Sequence, residues 1–173
     1  MAELVWKQAR DNAKTVLDEN WDQQLPVNIE QICRACGVIT YRRVMPDDLS
    51  GMIVKRATEK NARAFIDSDE PAVRRRFTLA HELGHFIERT VLAKDNEYGF
   101  REVCMGGRRE NDYFPHEFFA DEFAGAILMP ETKVREFKSE GKSVHDWRAR
   151  VYHVARSPDS LGYRSHCHEV FRG

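Results

Sequence analysis

Apolar residues recur at mostly three- and four-residue spacing between Glu3 and Glu19, where Leu4, Val5, Ala9, Ala13, Val16 and Leu17 mark one face of an amphipathic helix. Pro26-Val27-Asn28 then offers an N-cap for a second, short helix through Ile29, Ile32, Cys33 and Ala35, and Gly37 stands where a left-handed residue closes a helix. Beyond Gly37 the period changes. Val38-Ile39-Thr40-Tyr41, Gly51-Met52-Ile53-Val54 and Ala62-Arg63-Ala64-Phe65-Ile66 read as strands with close polar turns, which predicts a small antiparallel sheet. After Asp69-Glu70-Pro71 the longest predicted helix runs from Ala72 to about Val91, interrupted only by Gly84. The stretch from Lys94 to Phe114 has three glycines and little periodicity, so it reads as a loop of a length that often serves function. Helical patterns resume at His116 to Leu128, Glu131 to Ser139 and Val144 to Ala155.

Strands confined to the first half and helices after them give an α+β chain. At 173 residues it is expected to form a single domain: N-terminal helices and sheet at 1–70, two helices and the long loop at 71–130, and C-terminal helices at 131–173. The 27 basic and 28 acidic residues leave a formal charge of -1, which offers no global attraction to nucleic acid, so direct nucleic-acid binding is not expected and a protein partner is. No window is apolar enough to span a membrane and the N-terminus lacks a signal-peptide pattern, so a cytoplasmic protein is expected, with Cys33, Cys36, Cys104 and Cys167 as thiols.

The chemistry concentrates in the longest predicted helix. His81-Glu82-Leu83-Gly84-His85 puts two imidazoles one turn apart on one face, the spacing that binds one zinc ion. Glu82 is rotated off that line and suits the general base that takes a proton from an attacking water. A catalytic zinc site takes a third protein ligand. Glu117 is the best supplier, ahead of Glu122, His116 and Asp121, because Asp121 one turn later can then accept the spare ring proton of a ligand histidine. Donors to a developing oxyanion are sought at His116, Tyr113 and Tyr152.

The run Arg76-Phe77-Thr78-Leu79-Ala80-His81-Glu82-Leu83-Gly84-His85-Phe86, followed by Glu117 with Ala120-Asp121, Phe123-Ala124 and Leu128-Met129-Pro130, closely resembles the ImmA/IrrE family of bacterial and phage metallopeptidases. Weaker correspondences lie at Pro26-Val27, Leu49-Ser50-Gly51, and Ser157 with Leu161-Gly162-Tyr163-Arg164. The resemblance implies a zincin-like fold, one zinc held by His81, His85 and a gluzincin-like Glu117, and Glu82 as base. It also implies a substrate, a helix-turn-helix repressor of a mobile element or stress response. The chain departs from the family at Asp67, where Asn is frequent, and near Arg89, where His is.

Other patterns have plainer readings. Cys33-Arg34-Ala35-Cys36 lacks a second ligand pair and reads as helix packing, while His166-Cys167-His168 has ligand types but sits near a terminus. Arg74-Arg75-Arg76 and Arg108-Arg109 read as solvated charge, and the helix-turn-helix flavour of His153 to Arg164 as core packing or substrate docking. Two rivals to a zinc endopeptidase remain: a zinc-containing regulator or toxin-antitoxin partner that binds a repressor without cutting it, and a small-molecule zinc amidase.

Overall fold

The computed structural model describes residues 2–46, 48–92, 100–105 and 115–142. Five α-helices, α1 (Ala2–Asn20), α2 (Ile29–Ala35), α3 (Ala72–Ile87), α4 (Pro115–Leu128) and α5 (Glu131–Ser139), accompany four strands, β1 (Val38–Arg43), β2 (Leu49–Lys55), β3 (Ala62–Asp67) and β4 (Phe100–Met105). The arrangement is α+β. None of the described helices is long and apolar enough to cross a membrane.

Local signals behave as their chemistry dictates at both ends of α2. The Asn28 side chain accepts from the Gln31 backbone N–H at 3.2 Å, and Gly37 adopts φ +83, a conformation glycine reaches without a Cβ clash. The start of α3 is held differently. Pro71 occupies the cap position and makes no side-chain cap bond; instead Glu70 accepts from Ser50 of β2 at 2.6 Å and pairs with Arg74 at 2.9 Å, tying the helix start to the sheet.

The sheet corrects two expectations. Its order is β1-β3-β2-β4, with β1 parallel to β3 and the other pairs antiparallel, so it is mixed rather than antiparallel. Strand patterns fix which residues face the core, and they do not fix neighbours; β3 inserts between β1 and β2, which forces the parallel pair. The fourth strand lies inside the stretch that reads as a loop, because Phe100-Arg101-Glu102-Val103 gains its strand character from pairing with β2 rather than from alternation of its own. The third long element is also shorter than its pattern. α3 ends at Ile87 and a π-helical segment, Glu88–Leu92, follows it.

Layers build outward from the sheet. α3 packs on β2 and β3, α4 packs on α3, and α1 packs on α4. Sandwiched in this way, α3 is buried at every residue from Thr78 to Ile87. α4 is apolar nearly all round, which suits a helix covered on two sides, and its Phe119 and Phe123 rings stack at 6.2 Å in the centre of the core. Burying each such ring is worth roughly 1.5–3 kcal/mol. α3 and α4 touch most closely at Gly84, where a Cβ would stand 3.0 Å from Ala120 Cα and 3.2 Å from its carbonyl oxygen.

Gly84→Ala therefore sets two effects against each other. Helix propensity favours alanine by about 1 kcal/mol, whereas overpacking costs about 1–3 kcal/mol and the obstructing atoms are backbone that cannot rotate away. The expected outcome is a net loss of up to about 2 kcal/mol in urea unfolding; a gain in stability contradicts the close approach.

Candidate active site

The α3–α4 seam carries the site. His81 and His85, one turn apart and both buried, turn their Nε2 atoms toward each other at 3.1 Å with the rings edge to face. From α4, Glu117 Oε2 lies 3.4 Å from His81 Nε2 and Oε1 lies 3.5 Å from His85 Nε2. These three residues offer ligand atoms close enough to hold one metal ion. Ligands at about 2.0–2.2 Å in tetrahedral array stand about 3.3–3.5 Å from one another, and the separations here, 3.1 Å between the imidazoles and 3.4 and 3.5 Å to the two Glu117 oxygens, are close to that span. Two imidazoles with a carboxylate form the donor set of a catalytic zinc site.

Asp121 Oδ1 is 2.9 Å from His81 Nδ1. When Nδ1–H donates to that carboxylate, the Nε2 lone pair is left facing the ligand cluster. Charge couples the same residues. Burial opposes a proton on His81, yet the bonds to Asp121 and Glu117 outweigh it and lift its pKa to about 10. Bonds from His81 and then His85 hold the Glu117 carboxyl well below the usual carboxylate range. Metal binding at this cluster thus displaces a proton.

Glu82 is 0% exposed and neither carboxylate oxygen makes a well-formed hydrogen bond, although the backbone of Ile53 on β2 is near enough to favour its charged form slightly. Burial raises its pKa to about 8, against the pull of His81 and with a further push from Glu117 and Glu102. Such an orphaned buried carboxyl is costly to structure and well matched to proton transfer near neutral pH. Gly51 of β2 makes the room: a Cβ there would stand 2.5 Å from Thr78 Cγ2 and 3.1 Å from Glu82 Oε1.

The rival third ligands point elsewhere. Glu122 faces α1 and pairs with Arg10 at 2.7 Å, while His116 Nδ1 meets Glu88 Oε1 at 2.8 Å. Tyr113, Tyr152, Arg108-Arg109, His166-Cys167-His168, the predicted helix from Val144 and the segment from His153 to Arg164 lie outside the described residues. Cys33 is buried in the core, with burial holding its thiol far above the usual range, and burial pushes Cys36 up to about 11; neither is an activated thiol. The arginine run is tied down by carboxylate and carbonyl partners, with Arg74 exposed as expected and Arg75 and Arg76 part-buried. Arg74 pairs with Glu70, Arg75 donates to the carbonyls of Ser68 and Glu70, and Arg76 donates to that of Val27.

Sequence reasoning passed over Gly51, Glu88 and Glu102. Glu102 on β4 takes both Nε and an Nη of Arg89, at 3.0 and 2.6 Å, so the strand is pinned to the π-helical segment beside the site. Gly99 and the pair Gly106-Gly107, which bracket β4, were the one local signal of a bounded strand there.

A buried histidine pair with a facing carboxylate and a neighbouring buried glutamate defines a metallohydrolase type of site. The family model of the peptidase M78 group, the IrrE N-terminal-like domain, matches residues 38–164, and the chain belongs to this metallopeptidase family. No curated protein matches it.

Glu82 has a consequence for stability. Its pKa in the folded, metal-stripped chain lies above the ordinary carboxyl value of 4.5, so its contribution is fully present below that value and is lost as pH rises through about 8. Glutamine never ionises. Metal-stripped Glu82→Gln is expected to be more stable than the parent chain by a margin that widens between pH 5 and pH 9, as read by thermal unfolding; a margin independent of pH contradicts the raised pKa.

Proposed function

We propose that this chain is a zinc-dependent endopeptidase in which His81, His85 and Glu117 hold the metal and Glu82 is the general base. The observation that carries the reading is the set of three ligand groups close enough to share one metal ion, with a wholly buried glutamate one residue from the first histidine. When bound, zinc supplies the Lewis acidity that makes water a nucleophile near neutral pH and polarises a carbonyl. Glu82 accepts a proton from the attacking water and passes it to the leaving amine, and the positive charge of a bound metal would favour the ionised carboxylate that the first of these steps needs. Asp121 holds the His81 ring in the tautomer that presents Nε2.

The substrate in this reading is a helix-turn-helix transcriptional repressor of a mobile element or stress response. The likeness of the motif run to the ImmA/IrrE family supports it, and the balanced charge of the chain agrees with a protein rather than a nucleic-acid target.

Metal content by mass spectrometry and cleavage of the helix-turn-helix protein encoded beside this chain test both parts. One zinc per chain is expected, retained in Glu82→Gln and lost in Glu117→Ala. Cleavage is expected to fall by about 10²–10⁴-fold in Glu82→Gln. Full cleavage by metal-defined Glu82→Gln overturns the mechanism, and zinc without cleavage by the parent chain favours a regulator that only binds its repressor.

A further inference from the structure

His81, His85 and Glu88 succeed one another at spacings of four and three, so their side chains share one stripe along α3 and into the π-helical segment. α4 answers in the opposite chain order. Asp121 bonds to His81, Glu117 reaches both histidines, and His116 bonds to Glu88. The first two rungs of this ladder belong to the proposed metal set, and the third does not.

Glu88 is only 15% exposed, and it is half-satisfied. Oε1 accepts from His116 Nδ1 at 2.8 Å, whereas Oε2 is buried with no hydrogen-bonding partner. An unsatisfied buried oxygen costs stability, and an ion pair to a half-exposed histidine returns little of it. Fold stability therefore does not account for the pair, but its position offers another role. His116 immediately precedes Glu117, in the first turn of α4, where a helix's leading N–H groups have no partners within the helix. That turn carries a side chain that must stay within a few tenths of an ångström of ligand distance.

We propose that Glu88 is a positioning residue for the metal site: by holding His116 it fixes the first turn of α4 and so keeps Glu117 at ligand distance from His81 and His85. The inference rests on the metallopeptidase reading of the three-ligand cluster. It assigns Glu88 no contact with substrate.

Three variants of the full chain separate positioning from general support. Glu88→Leu removes the acceptor, His116→Leu removes the donor at a site exposed enough to tolerate it, and Glu88→Gln keeps an oxygen able to accept from Nδ1–H. In zinc-stripped protein, amide hydrogen exchange of residues 118–121 is expected to quicken by about three- to tenfold in both leucine variants and to stay unchanged in Glu88→Gln. Zinc affinity, measured by competition with a chromophoric chelator, is expected to weaken by about three- to tenfold in the leucine variants, with the double variant no worse than either single one. The thermal midpoint of zinc-stripped Glu88→Leu is expected to hold or rise, because the orphaned oxygen is gone. Unchanged exchange and affinity in both leucine variants overturn the proposal, as does an affinity loss that follows a falling midpoint and that glutamine does not rescue. Should Glu88→Leu fail to fold, His116→Leu carries the same comparison. A parent chain that takes up no zinc overturns the metallopeptidase reading itself, and the exchange data, which need no metal, tell that failure from this one.

Discussion

Gly84 of α3 lies so near Ala120 of α4 that the helices meet almost backbone to backbone, with a notional Cβ 3.0 Å from Ala120 Cα. The rest of the site depends on this closeness. It sets the helices at the separation where a glutamate of average reach, Glu117, spans to both imidazoles and a shorter aspartate, Asp121, reaches the far nitrogen of His81. A wider seam would leave the histidines one turn apart as before but without a carboxylate beside them. The second close approach, Gly51 of β2 against Thr78 and Glu82, fixes the other wall of the site by the same means. Each glycine serves by what it lacks.

The electrostatic arrangement is costly for the fold and useful for chemistry. His81, His85 and Glu82 are buried and Glu117 lies beside them, so their charges are less screened from one another than on an open surface. The consequences run in opposite directions for the two carboxyls. Glu117 is half-exposed and bonded to both imidazoles, so it stays ionised and able to ligate. Glu82 is wholly buried, and burial outweighs the pull of His81 and of the Ile53 backbone, so its proton is held until near neutral pH. One helical stripe and the wall beside it thus give two glutamates opposite proton affinities, the pattern expected where environments drive the pKa values of paired acids apart.

Support for α4 comes from outside the matched family region. α1 precedes residue 38, where the match begins, yet it forms the layer that covers α4, with Ala9, Ala13, Val16 and Leu17 in the core, Trp6 stacked on Phe118 at 5.5 Å and Arg10 paired with Glu122 at 2.7 Å. The ion pair is part-exposed and worth about 0–1 kcal/mol. The apolar face does most of the holding. Because Phe118 and Glu122 flank Glu117 and Asp121 in sequence, the helix that presents Glu117 is clamped on its opposite side by α1 and on its near side by α3.

Much of the architecture is legible in the sequence alone. Period 3.6 in the first twenty residues, the Asn28 cap, the Gly37 stop, three of four strands and the helix bearing both histidines follow from local chemistry, because helix periodicity, capping and left-handed turns are decided by a few neighbouring residues. The pairing of His81 with His85 on one face is of the same kind, since four residues of helix fix it. Strand neighbours, the parallel β1–β3 pair and the existence of β4 were not legible, because they depend on partners dozens of residues away. Glu117 could be singled out from its place in the sequence, but its distance from the imidazoles could not, and the same holds for the burial that lifts Glu82 and the roles of Gly51, Gly84 and Glu88. Local spacing determined which chemical groups this protein brings to one helix face; only the packing of α4 and the sheet against that face decided which of them meet, and in what dielectric surroundings they do so.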